Sequence, residues 1–199
     1  VTELKMLDCF SGMGGVSDGF SMEGFDVTGI DIVDAPKMLG YKHRFIQADM
    51  ATLKGEDFKG FDVVWGSPPC RNFSSIGKIT RNWKEPLSTE KGLELVNCFL
   101  RFVENAQPRI WIMENVPNLA KHLKIKPRAV SWIRPNMRRC FFGNFPLTLI
   151  PRTEKWVAVQ RQGPRTIRSW KSARVPLACS QAFARACREA LVEEAFLHA

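Results

Sequence analysis

Five short apolar runs, each closed by a glycine turn, an acid or a thiol, constrain this chain more than any other feature. Leu4 to Cys9 reads as a buried strand that empties into Ser11-Gly12-Met13-Gly14-Gly15, and a short helix follows from about Val16 to Glu23. Phe25 to Asp31 reads as a second strand ending in an acid, Arg44 to Ala48 as a third ending in Asp49, and Phe61 to Gly66 as a fourth ending in Ser67-Pro68-Pro69-Cys70. Ile110 to Met113 is the fifth and ends at Glu114. Apolar runs alternating with helical patterns are the mark of βαβ units, so the expected class is α/β with a mostly parallel sheet. Open sheets of this kind hold ligands beyond the C-terminal ends of their strands, which is where these residues fall.

The chain of 199 residues, 45% hydrophobic and 25% charged, suffices for one cored domain with a small lobe and excludes dominant disorder. Its longest apolar stretches fall short of the roughly 18 to 20 residues of a membrane span, and no charged-then-apolar leader opens it. No membrane association and an intracellular setting are therefore expected. The six cysteines read as free thiols, since nothing else suggests secretion. Without a Cys-x-x-Cys, and with His43, His122 and His198 far apart, no metal is expected.

Charge is distributed unevenly. Residues 1–107 carry 12 Lys and Arg against 15 Asp and Glu, whereas residues 108–199 carry 17 against 5. Between Pro117 and Pro176 there are 14 basic residues and a single acid, Glu154. Such asymmetry points to a polyanion, nucleic acid first, against the alternative of a solvated basic face. Trp132, Phe141, Phe142, Phe145, Trp156 and Trp170 are interleaved there and read as core, groove wall or base-stacking surface. The aperiodic stretch Ser67 to Glu90 reads as a long mobile loop. Leu93, Leu95, Val96, Phe99, Leu100 and Val103 mark a helix before Pro108, and short basic strands are expected beyond Pro127. Pro176 opens a last helix whose expected apolar face is Leu177, Ala178, Ala182, Phe183, Ala186, Ala190 and Leu191.

Three strand ends carry chemistry. Gly12, Gly14 and Gly15 allow close backbone approach to a ligand, although a tight βα connection has the same look. Asp31 is placed to accept from a ribose diol and Asp49 from an adenine amino group. Ser17 stands where a dinucleotide fingerprint has its third glycine, so S-adenosylmethionine fits better than NAD. Cys70, stiffened by two prolines and followed by Arg71, Asn72, Ser74 and Ser75, reads as an exposed thiol of lowered pKa, whereas the other five cysteines read as small buried hydrophobes. No histidine is evidently placed for a Cys-His hydrolase. Glu114, at the edge of an apolar strand, should have a raised pKa and share a proton near neutrality, unless it is tied into a structural network.

The ordered set Phe10 to Gly15, Gly66 to Cys70 with Phe73-Ser74, and Glu114-Asn115-Val116 resembles the cytosine-C5 DNA methyltransferases in residues, order and spacing. The resemblance is close over residues 4–119, patchy to Phe145 and unspecific after Pro176. It implies a Rossmann-like methyltransferase fold with a small basic second lobe, divided into a catalytic core at 1–145, a nucleic-acid-contacting region at 146–175 and a C-terminal helix at 176–199. S-adenosylmethionine, leaving as S-adenosylhomocysteine, would be bound by Phe10, Gly12, Gly14, Gly15, Asp31, Asp49, Pro69 and Leu95, with Ser180 closing the pocket. Cys70 would add to C6 of a flipped cytosine, Glu114 would hold or protonate N3, and Arg139, in Asn136-Met137-Arg138-Arg139, would assist at O2 and the thiol. The resemblance further implies a cytoplasmic, nucleoid-associated setting in a prokaryotic or virus-infected cell.

Arg71, Ser74, Arg138, Arg161, Arg165, Arg168 and Lys171 are the expected nucleic-acid contacts, with Arg152, Lys155 and Arg174 as further phosphate partners. Arg71 stands where the family usually has glutamine. Only about thirty residues, Pro146 to Val175, fill the place of a sizeable target-recognition region, which implies short or relaxed sequence specificity. DNA is the expected substrate. The rival readings are methylation of tRNA cytosine by the same chemistry and a non-catalytic nucleic-acid-binding member of the fold, and the oligomeric state stays open.

Overall fold

A computed structural model describes residues 3–74, 88–135, 137–153 and 174–197. Its strands are β1 (Lys5–Cys9), β2 (Asp26–Asp31), β3 (Arg44–Gln47), β4 (Val63–Gly66), β5 (Ile110–Asn115), β6 (Ala129–Arg134) and β7 (Met137–Gly143). The helices are α1 (Gly15–Met22), α2 (Ala35–Leu39), α3 (Thr89–Ala106) and α4 (Leu177–Leu197). One seven-stranded sheet has the order β3-β2-β1-β4-β5-β7-β6, with β1 to β5 parallel and β7 antiparallel to both β5 and β6. The order reverses between β1 and β4, where an open α/β sheet leaves its ligand crevice.

Each sheet face is covered by its own apolar cluster. On one side α1 and α4 press Val16, Phe20, Cys179, Phe183, Cys187 and Leu191 onto Met6, Val63, Trp65 and Phe141. Phe183 is the hub, its ring 5.2 Å from Trp65, 4.8 Å from Phe141 and 5.3 Å from Phe145. On the other side α3, capped by Ser88 accepting from Lys91 N, lays Val96, Phe99, Phe102, Val103 and Ala106 against Leu7, Val64 and Met113. That spacing is the helical three-and-four repeat. Gly66 has to be glycine, because a Cβ there would lie 2.3 Å from the Phe99 ring.

The buried stripe of α4 corrects the expected one. Cys179, Ser180, Phe183, Ala184, Cys187 and Leu191 face the sheet, whereas Leu177 and Ala178 lie exposed. Phe141, Phe142 and Phe145 are fully buried core, Trp132 is 46% exposed, and Trp156 and Trp170 lie outside the described residues. No described helix is long and apolar enough to cross a membrane.

An unanticipated polar network lies under the glycine turn. Asp8, buried within β1, accepts from Ser17 N at 3.2 Å and Ser17 Oγ at 2.5 Å, and Ser17 Oγ shares a 2.8 Å hydrogen bond with Tyr41 Oη. Tyr41 in turn needs Gly29, where a Cβ would lie 2.1 Å from its hydroxyl. Burial overrides the Ser17 hydrogen bonds and lifts the Asp8 pKa to about 7. Since the folded value exceeds the unfolded one, the stability Asp8 confers is complete below pH 4, declines as pH rises, and is lost beyond pH 7. Asp8→Asn keeps the acceptor and removes the titration. Its melting temperature relative to the native chain is therefore expected to climb from pH 4 to pH 7 and then level off, and thermal melts across that range check this.

Candidate active site

The glycine turn leaves β1 through residues that hold positive φ, namely Phe10 at 62°, Gly12 at 51° and Gly14 at 71°. This backbone lets the Gly12 N–H donate to Asp31 Oδ2 at 2.9 Å, while Val33 N donates to Oδ1 at 3.2 Å. The ends of β1 and β2 are thereby tied together on one side of the crevice. Burial raises the Asp31 pKa in spite of the backbone donors from Gly12, Val33 and Ile32. Asp49, just past β3, is half-buried and accepts from Ala51 N at 2.9 Å. Pro69 is exposed, and Leu95 is half-buried on α3 outside both apolar clusters.

Ser180 corrects an expectation. It is fully buried, and its hydroxyl donates to Gly15 O at 2.9 Å and Leu177 O at 3.0 Å. A side chain with no exposed surface holds the turn from behind and has none left for a ligand.

Cys70 opens a 3-10 turn, Cys70–Asn72, at the end of β4. Asn115 fixes this loop against β5 by donating to Pro68 O at 3.0 Å, and Asn118 donates to Phe73 O at 3.0 Å. In the sequence Asn115 figures only within the Glu114-Asn115-Val116 motif, without a role of its own, and Asn118 is not singled out. Glu114 ends β5, and β7 runs back alongside with Phe141 opposite Glu114, so that Arg139 meets the acid across the strand end. Arg139 Nε lies against Glu114 Oε1 in an ion pair whose side chains are 12% and 9% exposed. Glu114 Oε1 is buried, with the Arg139 guanidinium against it.

The electrostatics link the three groups. Burial raises the Glu114 pKa, with Arg139 and the Ser67 hydroxyl pulling the other way. Cys70 is half-buried, and burial pushes its thiol above the ordinary range; Arg139 opposes this shift and Glu114 adds to it. The expected exposed, acidic thiol is thus corrected: loss of water at the Pro68-Pro69-Cys70 bend outweighs the nearby cation.

Among the expected nucleic-acid contacts, Arg71 and Arg138 are exposed and Ser74 is half-buried. Arg174 differs, because it pairs with Asp18, which also takes His43 Nε2 at 2.8 Å. Arg161, Arg165, Arg168 and Lys171 lie outside the described residues, as do residues 75–87 of the expected loop. No group of three or more His, Cys, Asp or Glu side chains suited to a metal occurs among the described residues.

Residues 4–133 match the family model described as C-5 cytosine-specific DNA methylase. The chain belongs to this family. It is 34% identical over 137 residues to the type II methyltransferase M1.HphI of Haemophilus parahaemolyticus, a match covering 63% of this chain and 36% of that protein. It is 28% identical over 173 residues to the probable DNA (cytosine-5)-methyltransferase of Frog virus 3, covering 82% and 74%. This chain therefore spans little more than a third of the bacterial relative and about three quarters of the viral one. A solved methyltransferase of Entamoeba histolytica, EhMeth, superposes with a TM-score of 0.52 at 15% identity over 78% of this chain and 58% of that one, a likeness of fold.

The geometry predicts opposite effects from the two partners of Cys70. Glu114→Gln lowers the thiol pKa and speeds iodoacetamide alkylation of Cys70 at pH 8, whereas Arg139→Gln raises it and slows the reaction. Peptide mapping by mass spectrometry separates Cys70 from half-buried Cys98, and equal rates in both variants would show that the three groups are uncoupled.

Proposed function

We propose that this chain transfers a methyl group from S-adenosylmethionine to C5 of cytosine in DNA, through a covalent bond between Cys70 and C6. The observation that carries the reading is the convergence of a thiol, a buried carboxyl of raised pKa and a guanidinium at the ends of β4, β5 and β7. Family membership and the DNA methyltransferase names of the relatives support it.

The turn suits the cofactor on its own evidence. Its positive-φ backbone carries no side chain at Gly12, Gly14 packs against the Tyr41 ring, and Asp31 is held with both oxygens oriented and lone pairs to spare. Phe10, Gly12, Gly14, Gly15, Asp31, Asp49, Pro69 and Leu95 would hold S-adenosylmethionine, which supplies an electrophilic methyl group when bound.

C5 of cytosine is a poor nucleophile until C6 is substituted. Cys70 Sγ, once deprotonated, adds to C6, and the C5=C6 π pair becomes available at C5 as an enamine. Burial raises the Glu114 pKa, which favours sharing a proton with N3 and so neutralising charge that develops on the ring. Arg139 favours the Cys70 thiolate and faces the ring oxygen. After C5 has accepted the methyl group, loss of its proton returns the pair to the ring and expels Cys70. Since C6 is inaccessible within a duplex, the base has to leave the stack. Arg71, Ser74 and Arg138 flank the cleft as nucleic-acid contacts, and Arg161, Arg165, Arg168 and Lys171 extend the positive charge by sequence. Phosphate contacts position without reading bases, so the proposed specificity is short or relaxed.

Incubation of duplex DNA and, separately, tRNA with labelled S-adenosylmethionine, followed by nucleoside mass spectrometry, is expected to give 5-methylcytosine from DNA. Label confined to tRNA would move the substrate to RNA, and no label in either would remove the activity. Cys70→Ser is expected to abolish transfer while cofactor affinity stays within about two-fold. Asp31→Ala is expected to weaken that affinity roughly ten-fold or more by calorimetry, and an unchanged dissociation constant would displace the pocket.

A further inference from the structure

The sheet ends in a face that none of the four helices covers. Val130 and Trp132 on edge strand β6 stand opposite Cys140 and Arg138 of β7, and paired residues share a face. This is the face of the α3 cluster, to which Cys140 and Phe142 belong. Helix α3 lies over the centre of the sheet, and beyond Phe142 no described helix covers the face: Val130 is 43% and Trp132 46% exposed, and Arg138 is exposed. The other face of the same strand is sealed, with Ile133 fully buried. Exposure of a large aromatic on one side of an edge strand is costly in water and unnecessary for the fold, because the core cluster on the opposite face is complete without it.

Charge identifies the occupant. Lys124 and Lys126 are exposed in the approach to β6, Arg138 lies directly across from Trp132, and Arg128 turns to the other face, 5.8 Å from the Phe145 ring centroid. From Asn115 to Thr153 the sequence contains no Asp or Glu. An indole set across from Arg138, in a stretch of sequence without acids, repels a basic partner and matches a polyanion that carries aromatic rings. Phosphates of an intact duplex could use the cations, but its bases are stacked and could not reach the indole. Cys140, opposite Val130 on this face, sends its thiol to Asn115 O and Val116 O at 3.3 and 3.2 Å, so the face adjoins the end of the strand that carries Glu114 on its other side.

We propose that Trp132 and Arg138 form a docking platform for single-stranded DNA, the indole stacking on one unpaired base and Arg138 holding an adjacent phosphate. The proposal rests on the DNA-methylation reading and deepens it: the favoured substrate has an unpaired base near the target cytosine, as at a gap, a mismatch or a single-stranded end.

The test is fluorescence anisotropy with a labelled 12-nucleotide single-stranded DNA, its duplex and the RNA of the same sequence. It uses the whole chain as wild type, Trp132→Ala, Trp132→Phe and Arg138→Gln. Trp132→Ala is expected to weaken single-stranded DNA binding roughly 5- to 100-fold, with Trp132→Phe recovering most of the loss and duplex affinity changing less than about two-fold. Arg138→Gln should reduce the magnitude of the slope of log affinity against log salt by about 0.7, whereas Trp132→Ala leaves the slope unchanged. Equal loss on single strand and duplex, tighter binding of RNA than of DNA, or unchanged affinity in Trp132→Ala would each overturn the platform. Wild-type methylation of cytosine alongside any of those results would leave the proposed activity standing. Absence of both nucleic-acid binding and methylation in the wild type would remove both readings.

Discussion

The Glu114–Arg139 ion pair organises the rest of the cleft. Water scarcely reaches either side chain, and taking two charges out of water costs several kcal/mol per ion before their attraction offsets it. A pair of this kind is a poor source of stability, and a well-packed apolar pair would serve the fold as well. Its effect falls on its neighbour: the cation draws the Cys70 thiol toward ionisation and the anion draws it back, within a site whose dryness favours the neutral form. Burial outweighs both, so the thiol stays above its ordinary range.

The topology makes this pair possible. Parallel strands β1 to β5 bring the glycine turn, Asp31 and Cys70 to one edge of the sheet, but a sixth parallel strand would carry its own terminus there and leave Arg139 at the wrong end. Antiparallel β7 enters from the cleft side and sets Arg139 near its start, with Glu114 at the end of the strand alongside. Asn115 then locks the Cys70 loop to the same strand through Pro68 O. Behind the turn, Ser180 and the Asp8–Ser17–Tyr41 network fill space that a looser fold would leave to water.

The sequence makes the parallel half of this structure legible, because fully buried strands are continuous apolar runs and their special residues fall at the ends. The same reading finds Cys70, Glu114 and Arg139 as a group, since family order and spacing bring them together. Short elements leave a weaker trace: α2 is a five-residue helix started by Asp34 and Pro36, too brief for any periodicity. Asp8 within an apolar strand was a visible anomaly, but its partners Ser17 and Tyr41 are 9 and 33 residues away and only the folded chain joins them. The direction of the Cys70 shift depends on burial, which composition around a cysteine does not report. Ser180 and Arg174 carry residue types suited to ligands, yet both are committed to contacts within the protein.

The central claim is that Cys70 forms a bond to cytosine C6 during turnover. DNA carrying 5-fluorocytosine tests it most directly, because fluorine at C5 cannot leave as a proton does and the addition product stays attached. Incubation with S-adenosylmethionine, proteolysis and mass spectrometry should place the nucleotide on the peptide containing Cys70. Methylation of ordinary DNA combined with no adduct, or with an adduct on any other residue, would contradict it.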